Sequence, residues 1–266
     1  MSSREAIMNS SRAAGGLRRF GALVLYLAVL IGVWWAFVKV SNVQVFLIPG
    51  PDVVAISFIN AAPYLAQAAG VTLYEAFFGF VIAVVGGSLL SASMVYSKAV
   101  RSAVLPLLSL LNALPKVALA PLLVIWLGLE IPSKVAMAAL ISFFPIVINM
   151  YSGLNNVDVD ELKLFRLLQA SEFQTFLKLR LANAVPALFD GMKIALPLAV
   201  IGAIVGEFVA AQMGIGYEIE LAGSQFDMGL MFASVLTIAI LTTILFQLLG
   251  LIEGRVLRWR PSDQPA

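Results

Sequence analysis

Runs of about twenty apolar residues recur along this chain, and no other feature restricts its folding so strongly. A ~30 Å hydrocarbon layer is crossed by about 20 residues of α-helix, because a helix satisfies its backbone groups within itself. Six segments have that length and character, at residues 20–38, 72–96, 103–127, 135–151, 191–211 and 228–252. The expected fold class is therefore an all-α membrane protein with six transmembrane helices. The rest of the composition agrees: of 266 residues 61% are hydrophobic and 12% charged, with a mean hydropathy of +0.97. A soluble domain carries ~25% charge, so too few polar groups exist here to cover a water-facing surface. With His 0 and Cys 0, imidazole bases, thiolate nucleophiles and the commonest metal ligands are missing as well.

Basic residues set the orientation. Arg4, Arg12, Arg18 and Arg19, then Lys98 and Arg101, then Lys163, Arg166, Lys178 and Arg180, then Arg255, Arg258 and Arg260 all fall on one side of a six-span arrangement. The other side receives only Lys39 and Lys134. Positive residues stay in the cytoplasm, which places both termini there and makes 1–19 a cytoplasmic lead and 253–266 a cytoplasmic tail around a transmembrane domain at 20–252. The first run is too long for a secretory signal and lacks a small-residue cleavage site, so it is read as a retained helix. Residues 41–62, with Pro49, Gly50, Pro51 and Asp52, read as an outer loop with a short helix after Asp52. The net charge of +2 gives no reason to expect nucleic acid as a partner; membrane lipid is the expected surround.

One cytoplasmic connection, residues 152–190, is hydrophilic and yet patterned like helix. Asp158 with Glu161, and Ser171 with Gln174, read as capping boxes, predicting helices over about 159–169 and 172–183. Leu162, Phe165 and Leu168, then Phe173, Phe176 and Leu177, recur at helical spacing and give each helix a greasy face. Such a face outside the bilayer needs a partner. The chain's own helix ends, the headgroup layer and another protein are the available ones.

The stretch from Val157-Asp158-Val159-Asp160-Glu161 to Pro186 resembles the cytoplasmic EAA loop of inner-membrane permease subunits of binding-protein-dependent ABC importers, in the branch handling nitrate, sulfonates, taurine and pyrimidine precursors. The segment from Ala113-Leu114-Pro115-Lys116 to Leu122, with Trp126 and Gly128, is similar to that family's third-helix signature. Phe143-Phe144-Pro145 with Asn149 resembles its fourth; Gly206-Glu207-Phe208 and Gly214-Ile215-Gly216-Tyr217 with Asp227 resemble its fifth helix and the following outer loop. Departures sit inside the loop. Lys163-Leu164-Phe165 stands where the family has Glu-Ala-Ala, Gln169 replaces the motif glycine, and Ala182 replaces a proline.

The resemblance implies a type I importer permease fold, with a coupling loop between spans four and five that engages a separate ABC ATPase dimer through Lys163, Leu164, Phe165, Arg166, Leu168, Gln169, Ala170, Ser171 and Phe173. It also implies a second permease copy or paralogue, an extracytoplasmic solute-binding protein, and ATP with Mg on the ATPase rather than here. The residues themselves support that division, since no G-x-x-x-x-G-K-[ST] loop is present to cradle nucleotide phosphates. No cofactor is expected on this chain, and it is not expected to be an enzyme. Polar residues within the spans, Asn112, Lys116, Asn149 and Glu207, are candidates for the solute path, although Glu207, like Glu75, lies near a predicted helix end where an interfacial structural role is the alternative. Lys116 has the charge to attract an anionic solute, or to snorkel to an interface. The alternative to an importer permease is a self-contained secondary transporter or channel, for which inverted repeats are expected and none is visible. An intramembrane enzyme would have to rest on Ser109 and Lys116, which share a helical face.

Overall fold

The computed structural model describes residues 21, 25–26, 28–41, 44–45 and 47–258. Residues 1–19, most of the tail and part of the first predicted span lie outside the described residues. Among those described, every regular element is a helix. Helix α1 is Ala28–Val40. It is followed by α2 (Pro51–Asn60), α3 (Ala62–Tyr96), α4 (Lys98–Ala113), a 3₁₀ turn (Lys116–Leu119), α5 (Ala120–Leu127), α6 (Ile131–Asn155), α7 (Val159–Leu167) and α8 (Glu172–Thr175). A π turn (Phe176–Arg180) then leads into α9 (Leu181–Ala210), α10 (Ile215–Ser224) and α11 (Met228–Val256). Four stretches are long and apolar enough to cross a membrane, Ala62–Tyr96, Ile131–Asn155, Glu172–Ala210 and Met228–Val256, and a bent pair adds a fifth.

The chain divides into two units. One holds the residues up to Ala61 with Ala222–Ala233, and the other holds Ala62–Leu221 with the chain from Ser234 on. In the first unit, Pro51 opens α2 behind the extended Gly50, where its missing N–H is no loss. Trp34 stacks on Phe232 with ring centroids 6.1 Å apart.

The second unit is built on α6, flanked by α3 and α9. Small residues allow the approach, as between helices in lipid, where dispersion contacts and close backbones replace the hydrophobic drive. Ala138 of α6 is fully buried between Gly79 of α3 and Gly202 of α9; a Cβ on Gly202 would stand 2.6 Å from the Ala138 Cα. Farther along, Gly87 fits against Ile146 and Val147, Gly153 against Ala184 and Ala187, and Gly191 against Asn149. Pro145 interrupts α6 without breaking it, and the Asn149 amide donates to the Pro145 carbonyl at 2.8 Å. Lys193 of α9 pairs with Glu253 of α11 at 2.6 Å.

Three sequence expectations need correction. The run 103–127 is not one straight span, because α4 and the Lys116–Leu127 segment meet at 93°. Leu114 is extended (ψ 140°), the conformation a proline imposes on the residue before it, and Pro115 itself leaves the helical region with ψ 90°. The second apolar helix begins ten residues ahead of the predicted 72, since nothing between Ala62 and Val71 breaks it and Pro63 sits harmlessly in its first turn. The helix predicted to stop near 183 instead runs on, so that Glu172–Ala210 is one helical stretch of 39 residues with the π turn inside it.

Candidate functional site: the loop between α6 and α9 and a buried polar cluster

The loop between α6 and α9 is short-helical and braced. Asp158 caps α7, its Oδ1 accepting the Asp160 amide at 2.7 Å; the predicted box partner Glu161 is not the donor. At the other end, the Gln169 amide donates to the Arg166 carbonyl and the Ala170 amide to the Phe165 carbonyl, both at 3.0 Å. That 5→2 and 6→1 pair is a Schellman ending, which requires a left-handed residue at the position Gln169 occupies. Gln169 has φ +53°. The glutamine standing in place of the family's glycine therefore keeps the glycine conformation at a cost in strain. Ser171 then opens α8 with a complete capping box: its Oγ accepts the Gln174 amide at 3.2 Å and its own amide donates to Gln174 Oε1 at 2.9 Å.

The loop is tied to the helix ends beneath it. Phe176 packs on the cluster of Met150, Leu154 and Ala184, with its ring 5.6 Å from that of Tyr96. Arg180 donates to the Leu154 carbonyl at 2.9 Å and Asn183 to the Asn156 carbonyl at 2.8 Å. These contacts use up one apolar side only. Leu162, Phe165 and Ala170 are half-buried, whereas Leu164, Leu168 and Phe173 are 54%, 68% and 70% exposed. The single greasy face read from the spacing is thus split in two. Leu167, which sequence reasoning passed over although it lies three residues after Leu164, is 81% exposed and joins the outward stripe. Lys163 is exposed and bonded to Asp160 at 2.8 Å; Arg166 and Ser171 are exposed.

The four candidate path residues do not form one site. Asn112 and Lys116 meet at the break after α4, with Lys116 Nζ 2.9 Å from Asn112 Oδ1 and 5.8 Å from the centre of the Phe144 ring. Asn149 lies in the α6–α9 contact against Gly191. Glu207 is fully buried elsewhere, in a polar cluster that the sequence did not reveal as a cluster.

That cluster joins α3, α6, α9 and the start of α10. The Thr72 hydroxyl donates to Glu207 Oε1 at 2.7 Å and accepts the Ile215 amide at 2.9 Å, while the Gly216 amide donates to Glu207 Oε2 at 2.5 Å. Gly214 has φ +122°, and a Cβ on it would fall on the Glu207 carboxylate. The Gly214–Gly216 turn thus closes directly on the Glu207 carboxyl group of this chain. Glu75 and Lys134 are 2% and 3% exposed nearby, and Lys134 donates to the carbonyls of Leu129 and Glu130. Glu75, Glu130 and Lys134 line an open cavity of about 470 Å³ with Ala210, Ala211 and Gln212. Thr72 and Glu75, three apart on one helix face inside an apolar run, were the available signal. No group of three or more metal-ligating side chains occurs among the described residues.

Residues 79–258 match the family model described as "Binding-protein-dependent transport system inner membrane component". The chain belongs to that family. It is 35% identical over 242 residues to the riboflavin transport system permease protein RibX of Chloroflexus aurantiacus, covering 90% of each chain. To the formylaminopyrimidine transport permease protein ThiX of Halalkalibacterium halodurans it is 34% identical, covering 90% of this chain and 96% of that one. The putative aliphatic sulfonates transport permease protein SsuC of Bacillus subtilis is 27% identical, with 93% and 91% covered. Among solved structures, the fold is shared with the MetNI methionine ABC transporter in an inward-facing conformation (TM-score 0.53, 20% identity, 71% of this chain and 90% of that one). It is shared too with an amino acid ABC transporter solved with histidines (TM-score 0.59, 16% identity, 75% and 97%). The chain is accordingly a membrane permease subunit of an ABC importer for a small solute, and ATP hydrolysis belongs to a separate subunit.

Proposed function

We propose that this permease spans the inner membrane six times with both termini in the cytoplasm, that two copies, or one copy and a paralogue, enclose the solute path, and that the α6–α9 loop is the surface gripped by the ATPase dimer. The observation that carries this reading is the outward stripe of Leu164, Leu167, Leu168 and Phe173 on a loop whose other side is already packed and hydrogen-bonded. A rigid, capped, apolar projection of this kind transmits the closing of a partner as rigid-body movement. ATP and Mg are bound by that partner.

The solute is delivered by an outer binding protein. Heterocyclic solutes are favoured over sulfonates, because identity is 35% and 34% to the riboflavin and formylaminopyrimidine permeases and 27% to the sulfonate permease. Asn112 and Lys116, at the break after α4, are the path residues this reading retains.

Reconstitution tests the reading. Liposomes containing this chain with its ATPase and binding protein should accumulate solute against a gradient only when ATP is supplied on the cytoplasmic side. Accumulation by this chain alone would instead make it a secondary transporter.

A further inference from the structure

The polar cluster around Glu207 is costly to build, since a carboxyl group with no exposed surface loses its hydration and must be repaid by hydrogen bonds. Its bonds go to a specific place. Helix α10 begins at Ile215, and its first amides are satisfied by Thr72 on α3 and Glu207 on α9, the bonds from Ile215 and Gly216 described above. An ordinary helix start needs only a Ser, Thr, Asp or Asn beside it. Here the direction of α10 is dictated by two other helices instead. A second pin lies one turn on, where Tyr64 at the start of α3 donates its hydroxyl proton to Glu218, itself 2% exposed.

Glu207 also lies near one end of the 39-residue helical stretch Glu172–Ala210, whose other end carries Phe173 of the α6–α9 loop. At 1.5 Å per residue the two are about 50 Å apart on one helical path. We propose that Glu207 is a positioning residue for transport: with Thr72 it holds the Gly214–Gly216 turn and α10 in the pose that an outer solute-binding protein engages, and ties that pose through α9 to the ATPase-facing loop. This rests on the importer reading and its outer placement of α10. Glu207 touches neither solute nor nucleotide. It acts through the turn it grips.

The test uses the assembled complex of permease, ATPase and binding protein, with ATP hydrolysis followed as binding protein is titrated. Glu207→Gln and Thr72→Val should assemble and keep basal hydrolysis, yet require about fivefold more binding protein for half-maximal stimulation, the weakening expected from one lost hydrogen bond. Thr72→Ser, which keeps the hydroxyl, should restore the wild-type titration. Hydrogen exchange at the Ile215 and Gly216 amides should quicken in Thr72→Val and not in Thr72→Ser. A merely structural role predicts that basal and stimulated rates fall together with the half-maximal concentration unmoved, and that result would overturn the proposal. Unaltered titrations in all variants would overturn it equally. Absence of stimulation in the wild-type complex would instead overturn the importer reading on which it depends.

Discussion

Gln169 donates its amide to the Arg166 carbonyl at 3.0 Å from a left-handed backbone, φ +53°, and so ends α7 in the way a glycine ordinarily does. A side chain in that region costs roughly 1–2 kcal/mol, and glycine returns about 0.5–1 kcal/mol of that as entropy in the unfolded chain. Gln169→Gly should therefore stabilise the loop by about 0.5–1 kcal/mol, seen as slower exchange of the Ala170 amide. Gln169→Val should do the reverse, since a branched side chain tolerates positive φ least. Faster exchange in the glycine variant would contradict the Schellman assignment.

The α3–α6–α9 contact makes a paired prediction about glycine. Gly202→Val places a side chain where even a Cβ comes within 2.6 Å of Ala138, and overpacking of that kind costs about 1–3 kcal/mol or more. Gly70 is also inside a helix but has nothing within 4 Å of an added Cβ, so Gly70→Ala should gain about 0.5–1 kcal/mol. Thermal unfolding of the two variants in the same detergent should move in opposite directions.

Topology is open to direct labelling because the chain has no cysteine. A single cysteine in place of Asp160 should react with an impermeant reagent only after the membrane is opened. One in place of Glu220, which is exposed, should react from outside intact cells. Reversal of the two would invert the proposed orientation.

Much of the fold could be read from the chain because it depends on length and periodicity. Four of the long apolar runs recur as helices long enough to cross a membrane, and the Ser171–Gln174 box is formed as its spacing predicted. What stayed hidden was non-local. No pattern near Glu207 shows that its partners are Thr72, 135 residues away, and the amide of Gly216. Nor does the periodicity around Phe165 tell which of two apolar sides packs inward, since that depends on where Phe176, Tyr96 and Leu154 stand. The break at Pro115 was in plain view as a proline. Prolines 145, 186 and 197 nevertheless sit inside unbroken helices, and only the chain's path around Leu114 separates the cases.

If the exposed stripe of the α6–α9 loop is the ATPase-binding surface, co-purification of the ATPase with loop variants will register its loss. Burying a Leu or Phe contributes roughly 1.5–3 kcal/mol, so Leu168→Asp and Phe173→Asp should each weaken ATPase binding by about 10-fold to 150-fold while the permease still inserts. Lys163→Ala, which removes one exposed ion pair, should leave binding within about fivefold of wild type. The ATPase should be lost from both aspartate variants and retained by Lys163→Ala; full retention by Leu168→Asp and Phe173→Asp would show that the ATPase binds elsewhere.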